Sequence, residues 1–267
     1  MKNILVFCPM RVSYPRAYGR SVTSVLQLEW DHPIEYMLRD GKRPHEENAV
    51  CISAQYNWAR EHVLHNDYDF LMTIEADIVV PPDALKRLIE CDSDVSYGLY
   101  VFRRGRMSWS AYDTVESIRG HSISETPDLA RELWGQIIDV QGVGLGATLL
   151  TRKALETLGS FEPWTVAGYD CDWTLARRAN ELGLIQRSNL SVVCGHITQN
   201  PSLRILWPDP SAKTLFRIQY LDDTWFDIDD EGKIVIVMDM FGTTHVTKQQ
   251  LAGAYASEKY RKATSEN

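Results

Sequence analysis

Short apolar runs alternate along this chain with stretches in which apolar residues recur every three or four positions. Ile4 to Phe7 is the first run, ended by Pro9, and predicts a buried strand. A polar stretch through Arg20 follows, and Ile34 to Leu38 predicts a second strand before Asp40-Gly41. Between Asn48 and His65 the spacing of Val50, Ala54, Trp58, Ala59 and Val63 predicts a helix. Phe70 to Ile74 reads as a strand running straight into Glu75-Ala76-Asp77, and Pro81-Pro82 then opens a short helix over 83–90. Val95 to Phe102 is again strand-like.

The segment 103–135 is polar, with a helix expected after Thr126-Pro127; its basic start and Trp109 read as a surface loop. Ile137 to Leu150 is apolar but broken by Gly142, Gly144 and Gly146. Helices are expected just after it, ending at Gly159, and over 172–182, ending at Gly183. Ser191 to Cys194 is a strand leading into Gly195-His196. Strands alternating with helices up to this point predict an α/β fold, a mostly parallel central sheet with helices on both faces. Beyond Pro201 the character changes to a rigid loop over 207–210, a hairpin over 226–246 and a helix from Lys248. The expected organisation is a catalytic body over 1–199 and an extension over 200–267 packing on it.

Composition narrows the field modestly. A chain of 267 residues with a net charge of -8 is an ordinary globular protein whose surface is not selected for nucleic acid or anionic lipid. Cys8, Cys51, Cys91, Cys171 and Cys194 form no CxxC pair, which predicts buried thiols rather than a zinc site. No run approaches the roughly 18 apolar residues that span a bilayer, and the first residues are too short an apolar run for a signal peptide. The expectation is a soluble, cytoplasmic protein.

Three elements carry chemistry. Glu75 and Asp77 stand one residue apart at the C-terminal end of an apolar strand, where open α/β sheets bind ligands. There they can meet a hard cation such as Mg²⁺ or Mn²⁺, although acidic residues also end many strands because loops are polar. Asp170 and Asp172 open a helix, whose dipole favours negative charge; a base role needs one of them to point away from that helix. His196 follows Gly195 at a strand end, where a neutral imidazole beside two carboxylates suits manganese. The glycines at 144 and 146 lack GxGxxG spacing and more simply allow close backbone approach. No Walker, GxSxG or HExxH motif occurs.

In this order the elements resemble the GT-A glycosyltransferases, in particular bacterial, archaeal and phage members related to family 2. In that family a strand ends in DxD followed by a proline and a short helix; Glu75-Ala76-Asp77, Pro82 and Leu85 match that part. An Arg-Asn pair on the preceding helix is matched at Asn57, but Tyr56 stands in place of the arginine. Counting back from Gly183 aligns Asp172 with the family's catalytic aspartate, whereas counting from Gly168 selects Asp170. Cys194-Gly195-His196-Ile197 resembles the terminal metal-binding histidine. The resemblance covers roughly residues 3–197.

It implies a GT-A nucleotide-diphospho-sugar transferase fold with Mn²⁺ or Mg²⁺ held by Asp77, His196 and Glu75. It implies a nucleotide-diphosphate sugar donor, with Pro9, Arg11, Asn57, Glu75, Ala76 and Asp77 at the nucleotide. Asp172, or Asp170, would take the acceptor's proton, with inversion of the sugar. Trp109, Trp134 and Trp164 are candidate sugar-stacking residues. The acceptor (saccharide, protein, lipid or modified nucleotide) stays open, with its recognition expected over 103–135 and in the extension. The alternatives are a sugar-1-phosphate nucleotidyltransferase, which wants a basic glycine-rich loop after the first strand, and an inactive nucleotide-sugar-binding module.

Overall fold

The computed structural model describes residues 3–10, 15–40, 48–102, 107–115, 120–142, 144–162, 171–198, 204–220, 225–228, 234–238 and 242–246. In chain order these form β1 (Ile4–Met10), α1 (Pro15–Leu26), β2 (Ile34–Asp40), α2 (Asn48–His65), β3 (Phe70–Ile74), β4 (Ile78–Val79), α3 (Ala84–Ile89) and β5 (Val95–Leu99). There follow β6 (Tyr112–Val115), β7 (Gly120–Ser122), α4 (Pro127–Leu133), β8 (Ile137–Asp139), β9 (Ala147–Thr151), α5 (Arg152–Leu158), α6 (Cys171–Glu181), β10 (Gln186–Val193) and β11 (Gly195–Thr198). The last strands are β12 (Arg204–Pro208), β13 (Phe216–Tyr220), β14 (Trp225–Ile228), β15 (Ile234–Met238) and β16 (Gly242–Val246).

The main sheet has seven strands in the order β2-β1-β3-β9-β5-β10-β8. β1 runs parallel to β2 and β3, and β5 runs parallel to β10. Because β3 and β5 both pair antiparallel with β9, all five of these strands point the same way. Burial explains the continuous apolar runs: Ile4 through Cys8 are all covered, so both faces of β1 are interior. Side-chain parity assigns the helices. Phe7 meets Tyr56 and Trp58 of α2, and Gln186 bonds Ala176 and Asn180 of α6 on the same face. Arg187 and Asn189 point the other way and bond carbonyls of Cys91, Asp92 and Arg87 at α3. Helices therefore cover both faces. None of the described helices is long and apolar enough to cross a membrane.

A second sheet, antiparallel, has the order β13-β12-β11-β4. It joins residues 204–220 to strands of the first two hundred residues, so the chain continues past 199 within one sheet. The indole N–H of Trp109 donates to the carbonyl of Leu215 at 2.6 Å, and Ile205, Leu206 and Leu215 are buried in this region.

Several expectations are met and some are corrected. α5 and α6 end at Gly159 and Gly183, both with positive φ (72° and 67°), as helix-terminating glycines do. All five cysteines are free and buried. Within the polar stretch through Arg20 a helix begins that the sequence did not announce, α1 over Pro15–Leu26. Its buried residues include Ser21, Thr23 and Ser24 beside Val22, Val25 and Leu26; the Thr23 hydroxyl donates to the Gly19 carbonyl and the Ser24 hydroxyl to the Ser21 carbonyl. Trp109 is no surface residue: it is 1% exposed and packs against Trp134 at 5.4 Å. Trp207 and Pro208 end β12 rather than forming a loop; β14 and β15 make the expected antiparallel pair, to which β16 adds a third strand. The helix expected from Lys248 and the candidate Trp164 lie outside the described residues.

Two outcomes follow from this packing. Trp109→Ala should cost about 3–5 kcal/mol in urea-monitored stability. Trp109→Phe, which keeps the packing but leaves the Leu215 carbonyl without its donor, should cost about 1–3 kcal/mol; equal losses would show that the hydrogen bond carries the whole effect. Burial also pushes the Cys91 thiol up from 9.0 to about 11, and Cys8 and Cys194 further up. As pH climbs, the unfolded chain therefore releases its thiol protons before the folded one does. The stability conferred by keeping Cys91 neutral is whole below pH 9 and is lost between pH 9 and about 11. Urea midpoints measured at pH 8, 9, 10 and 11 should fall across that window, and a flat series would contradict the assignment.

Candidate active site

β2 lies on one side of β1 and β3 on the other, so the chain leaves the C-terminal ends of β1 and β3 in diverging directions. That divergence opens the crevice in which α/β sheets take ligands. Pro9 lies near the end of β1, while Glu75, Ala76 and Asp77 follow directly on β3. The Cys8 thiol is pushed up first by burial and then by the charges of Asp77 and Glu75, so the end of β1 lies in the field of both carboxylates.

A tight turn separates those two acids. The Ile78 N–H donates to the Glu75 carbonyl at 2.9 Å, ending strand alternation at Glu75. The Glu75 N–H is itself held by the Gly146 carbonyl at 2.9 Å, and Ser21 Oγ donates to the Glu75 carbonyl at 3.3 Å. Past the turn, β4 pairs antiparallel with β11, placing His196 opposite Ile78 and Gly195 opposite Val79. The Ile197 N–H then donates to the Asp77 carbonyl at 2.8 Å. This ladder brings the imidazole to Asp77, with Nε2 lying 3.7 Å from Oδ2.

His196 is 5% exposed, and its Nδ1 lies 2.6 Å from the Val101 carbonyl. A carbonyl only accepts, so Nδ1 carries the proton and, in the neutral ring, Nε2 presents its lone pair. That atom is buried without a hydrogen-bond partner and faces a carboxylate. Two electron-rich atoms so placed repel unless a proton or a metal cation lies between them. Donation of the other ring nitrogen to a backbone carbonyl is how ligating histidines are oriented. The Tyr100 ring stands edge-on to the imidazole at 5.4 Å. Gly195 permits the ladder, because a side chain there would lie 2.5 Å from Ile205 and 2.8 Å from Trp207.

Glu75 belongs to a different neighbourhood. The Tyr56 hydroxyl donates to its Oε1 at 3.4 Å. Burial, then the charge of Glu75 and after it that of Asp172, hold the Tyr56 and Tyr100 phenols well above their ordinary range. Asp172 sits in the first turn of α6, with Oδ1 accepting the Trp173 N–H at 2.8 Å. Its Oδ2 turns away from the helix: a side-chain carbon placed on Gly144 would lie 2.9 Å from it and 2.2 Å from the Tyr100 hydroxyl. Gly144 and Gly146 thus make room for the Tyr100 ring, the close approach being to a side chain rather than to another strand.

The expected three-ligand cluster therefore resolves into a pair. Asp77 and His196 meet, whereas Glu75 is directed by the turn toward Tyr56; among the described residues no three His, Cys, Asp or Glu side chains gather as a metal site. Asn57, expected at the nucleotide, instead clasps the backbone of Phe161, donating to its carbonyl at 2.9 Å and accepting from its N–H at 2.6 Å. Ala76 is buried in the turn. Arg11 and Asp170 lie outside the described residues. Sequence reasoning did not identify Tyr100, the Val101 carbonyl or β4 as parts of the site. Tyr56 carried a signal, since it stands where the arginine of the resembling family would be.

No family model matches this chain, and no curated protein matches it. Among solved structures, the crystal structure of A197 from STIV is similar, with a TM-score of 0.55 and 19% sequence identity. The alignment covers 83% of this chain and 95% of that one. The likeness is one of fold: a mixed α/β body built on a large, mostly parallel sheet.

Proposed function

We propose that the protein is a GT-A type glycosyltransferase that moves a sugar from a nucleotide-diphosphate donor to an acceptor hydroxyl. The observation that carries this reading is the buried Nε2 of His196, without a hydrogen-bond partner and 3.7 Å from the Asp77 carboxylate at the ligand-binding end of the sheet. The donor set fits Mn²⁺ or Mg²⁺, which Asp77 and His196 would hold through one carboxylate and one imidazole nitrogen. A cation held there would neutralise charge on a departing diphosphate.

Asp77 and His196 would hold that end of the donor, while Glu75, turned toward Tyr56, shares the surroundings of that phenol with Asp172. Asp172 Oδ2 takes the proton from the acceptor hydroxyl. The acceptor oxygen forms the new bond to the anomeric carbon as the bond from that carbon to the phosphate oxygen breaks. The electron pair leaves with the nucleoside diphosphate, and attack opposite the leaving group inverts the sugar. Tyr100, packed between His196 and Asp172, fixes the distance between the two halves of the site.

The test is a thermal-shift and turnover screen of UDP-, GDP- and CDP-sugars with and without manganese. One donor should raise Tm only when manganese is present, by linked binding. His196→Ala should abolish that manganese dependence. Asp172→Asn should keep it and lose about 10²–10⁴-fold in nucleoside diphosphate release. A manganese response unchanged in His196→Ala would overturn the reading, and release from no donor would favour the binding module.

A further inference from the structure

We propose that the acceptor is a carbohydrate whose ring packs against a wall formed by Phe102, Tyr112 and Trp173, with Asp172 at its foot. This deepens the transferase reading and rests on it. The three rings come from three places: the exit of β5, the start of β6 and the first turn of α6. They form a continuous chain from the buried Tyr100. Centroids are 5.4 Å apart for Tyr100–Phe102, 5.8 Å for Phe102–Tyr112 and 5.6 Å for Tyr112–Trp173. Tyr100 is interior, whereas the other three rings are half-buried and so keep surface to offer.

The wall is rigidly tied to the base. A side-chain carbon on Gly120 would lie 2.5 Å from the Trp173 ring and 2.6 Å from Tyr112, so the start of β7 is seated directly against both. Trp173 follows Asp172 and donates its N–H to Oδ1. Around Gly144, Asp172 Oδ2 and the Phe102 ring stand 2.9 and 3.1 Å from one point, so the oxygen that would take a proton lies beside the first ring of the wall.

The chemistry selects a sugar. A pyranose has a C–H face that packs on aromatic rings and a rim of hydroxyls that needs polar partners. Asp113 and Thr114, both exposed, follow Tyr112 along the hairpin, and Asp113 pairs with His121 at 3.0 Å. A lipid would want an unbroken apolar groove in their place. A phosphate-bearing acceptor would meet the carboxylates next in the chain to Trp173 and Tyr112.

Saturation-transfer NMR on the full chain, without donor or metal, tests this directly. The probes are the methyl glycosides of glucose, galactose, mannose and N-acetylglucosamine. At least one should bind, and Tyr112→Leu and Trp173→Leu, which keep apolar packing, should each weaken it ~10-fold. Trp173→Phe should restore most of the binding. Far-UV circular dichroism establishes that each variant is folded. Binding of no glycoside, or binding indifferent to both leucine variants, overturns the wall even if a donor responds to manganese. Ring-dependent glycoside binding without any donor response leaves the wall standing and removes the transferase reading instead.

Discussion

β4 is two residues long, too short to persist by itself, yet the site depends on its pairing with β11. It is held from several sides: the Val80 N–H donates to Ser24 Oγ of α1, the Glu29 N–H to the Pro82 carbonyl, and β12 and β13 extend the ladder beyond β11. Register is decisive because side chains alternate faces. A one-residue slip would set Ile197 toward Asp77 and turn the imidazole to the other side of the sheet. Gly195 guards against this, since Ile205 and Trp207 fill the space a bulkier residue would occupy.

The same turn that ends β3 sorts the acidic groups into two environments. Asp77 faces an imidazole lone pair, and Glu75 faces a phenol. Asp172, from the far end of the chain's main body, raises the same buried phenols as Glu75 does. Concentrating negative charge at one sheet edge in a chain of net charge -8 opposes folding unless donors and cations answer it. The Tyr56 hydroxyl supplies a donor on one side, and the proposed divalent ion would answer the other.

Much of this was legible in the residues. β3 announces itself by its apolar run and α6 by its terminating glycine, and the acidic strand end falls where the topology puts a crevice. α2 is a helix as expected, but Val50 and Ala54 of its predicted apolar spacing are exposed while Cys51, Gln55 and Tyr56 are buried. What stayed hidden has physical causes. α1 is not legible although Val22, Val25 and Leu26 recur at helical spacing, because Ser21, Thr23 and Ser24, buried with them, interrupt the apolar run. Trp109 sits among serines that look like a surface loop, but Ser110 and Ser122 are buried and bonded to the Tyr100 N–H and the Trp109 carbonyl. The divergence of Glu75 from Asp77 turns on a single backbone hydrogen bond, which no spacing rule reveals. Asn57 shows the converse: a polar residue at the expected place is occupied by the Phe161 backbone.

The late position of β11 and β12 has a consequence for how a nascent chain acquires its chemistry. Strands β1 to β3 can form a cleft with both strand-end acids while the ribosome is still translating the middle of the message. The imidazole arrives only after β10 has been made, and it is braced only once β12 has left the exit tunnel and closed over Gly195. A product terminated before β11 would thus carry both strand-end acids without the imidazole that meets Asp77.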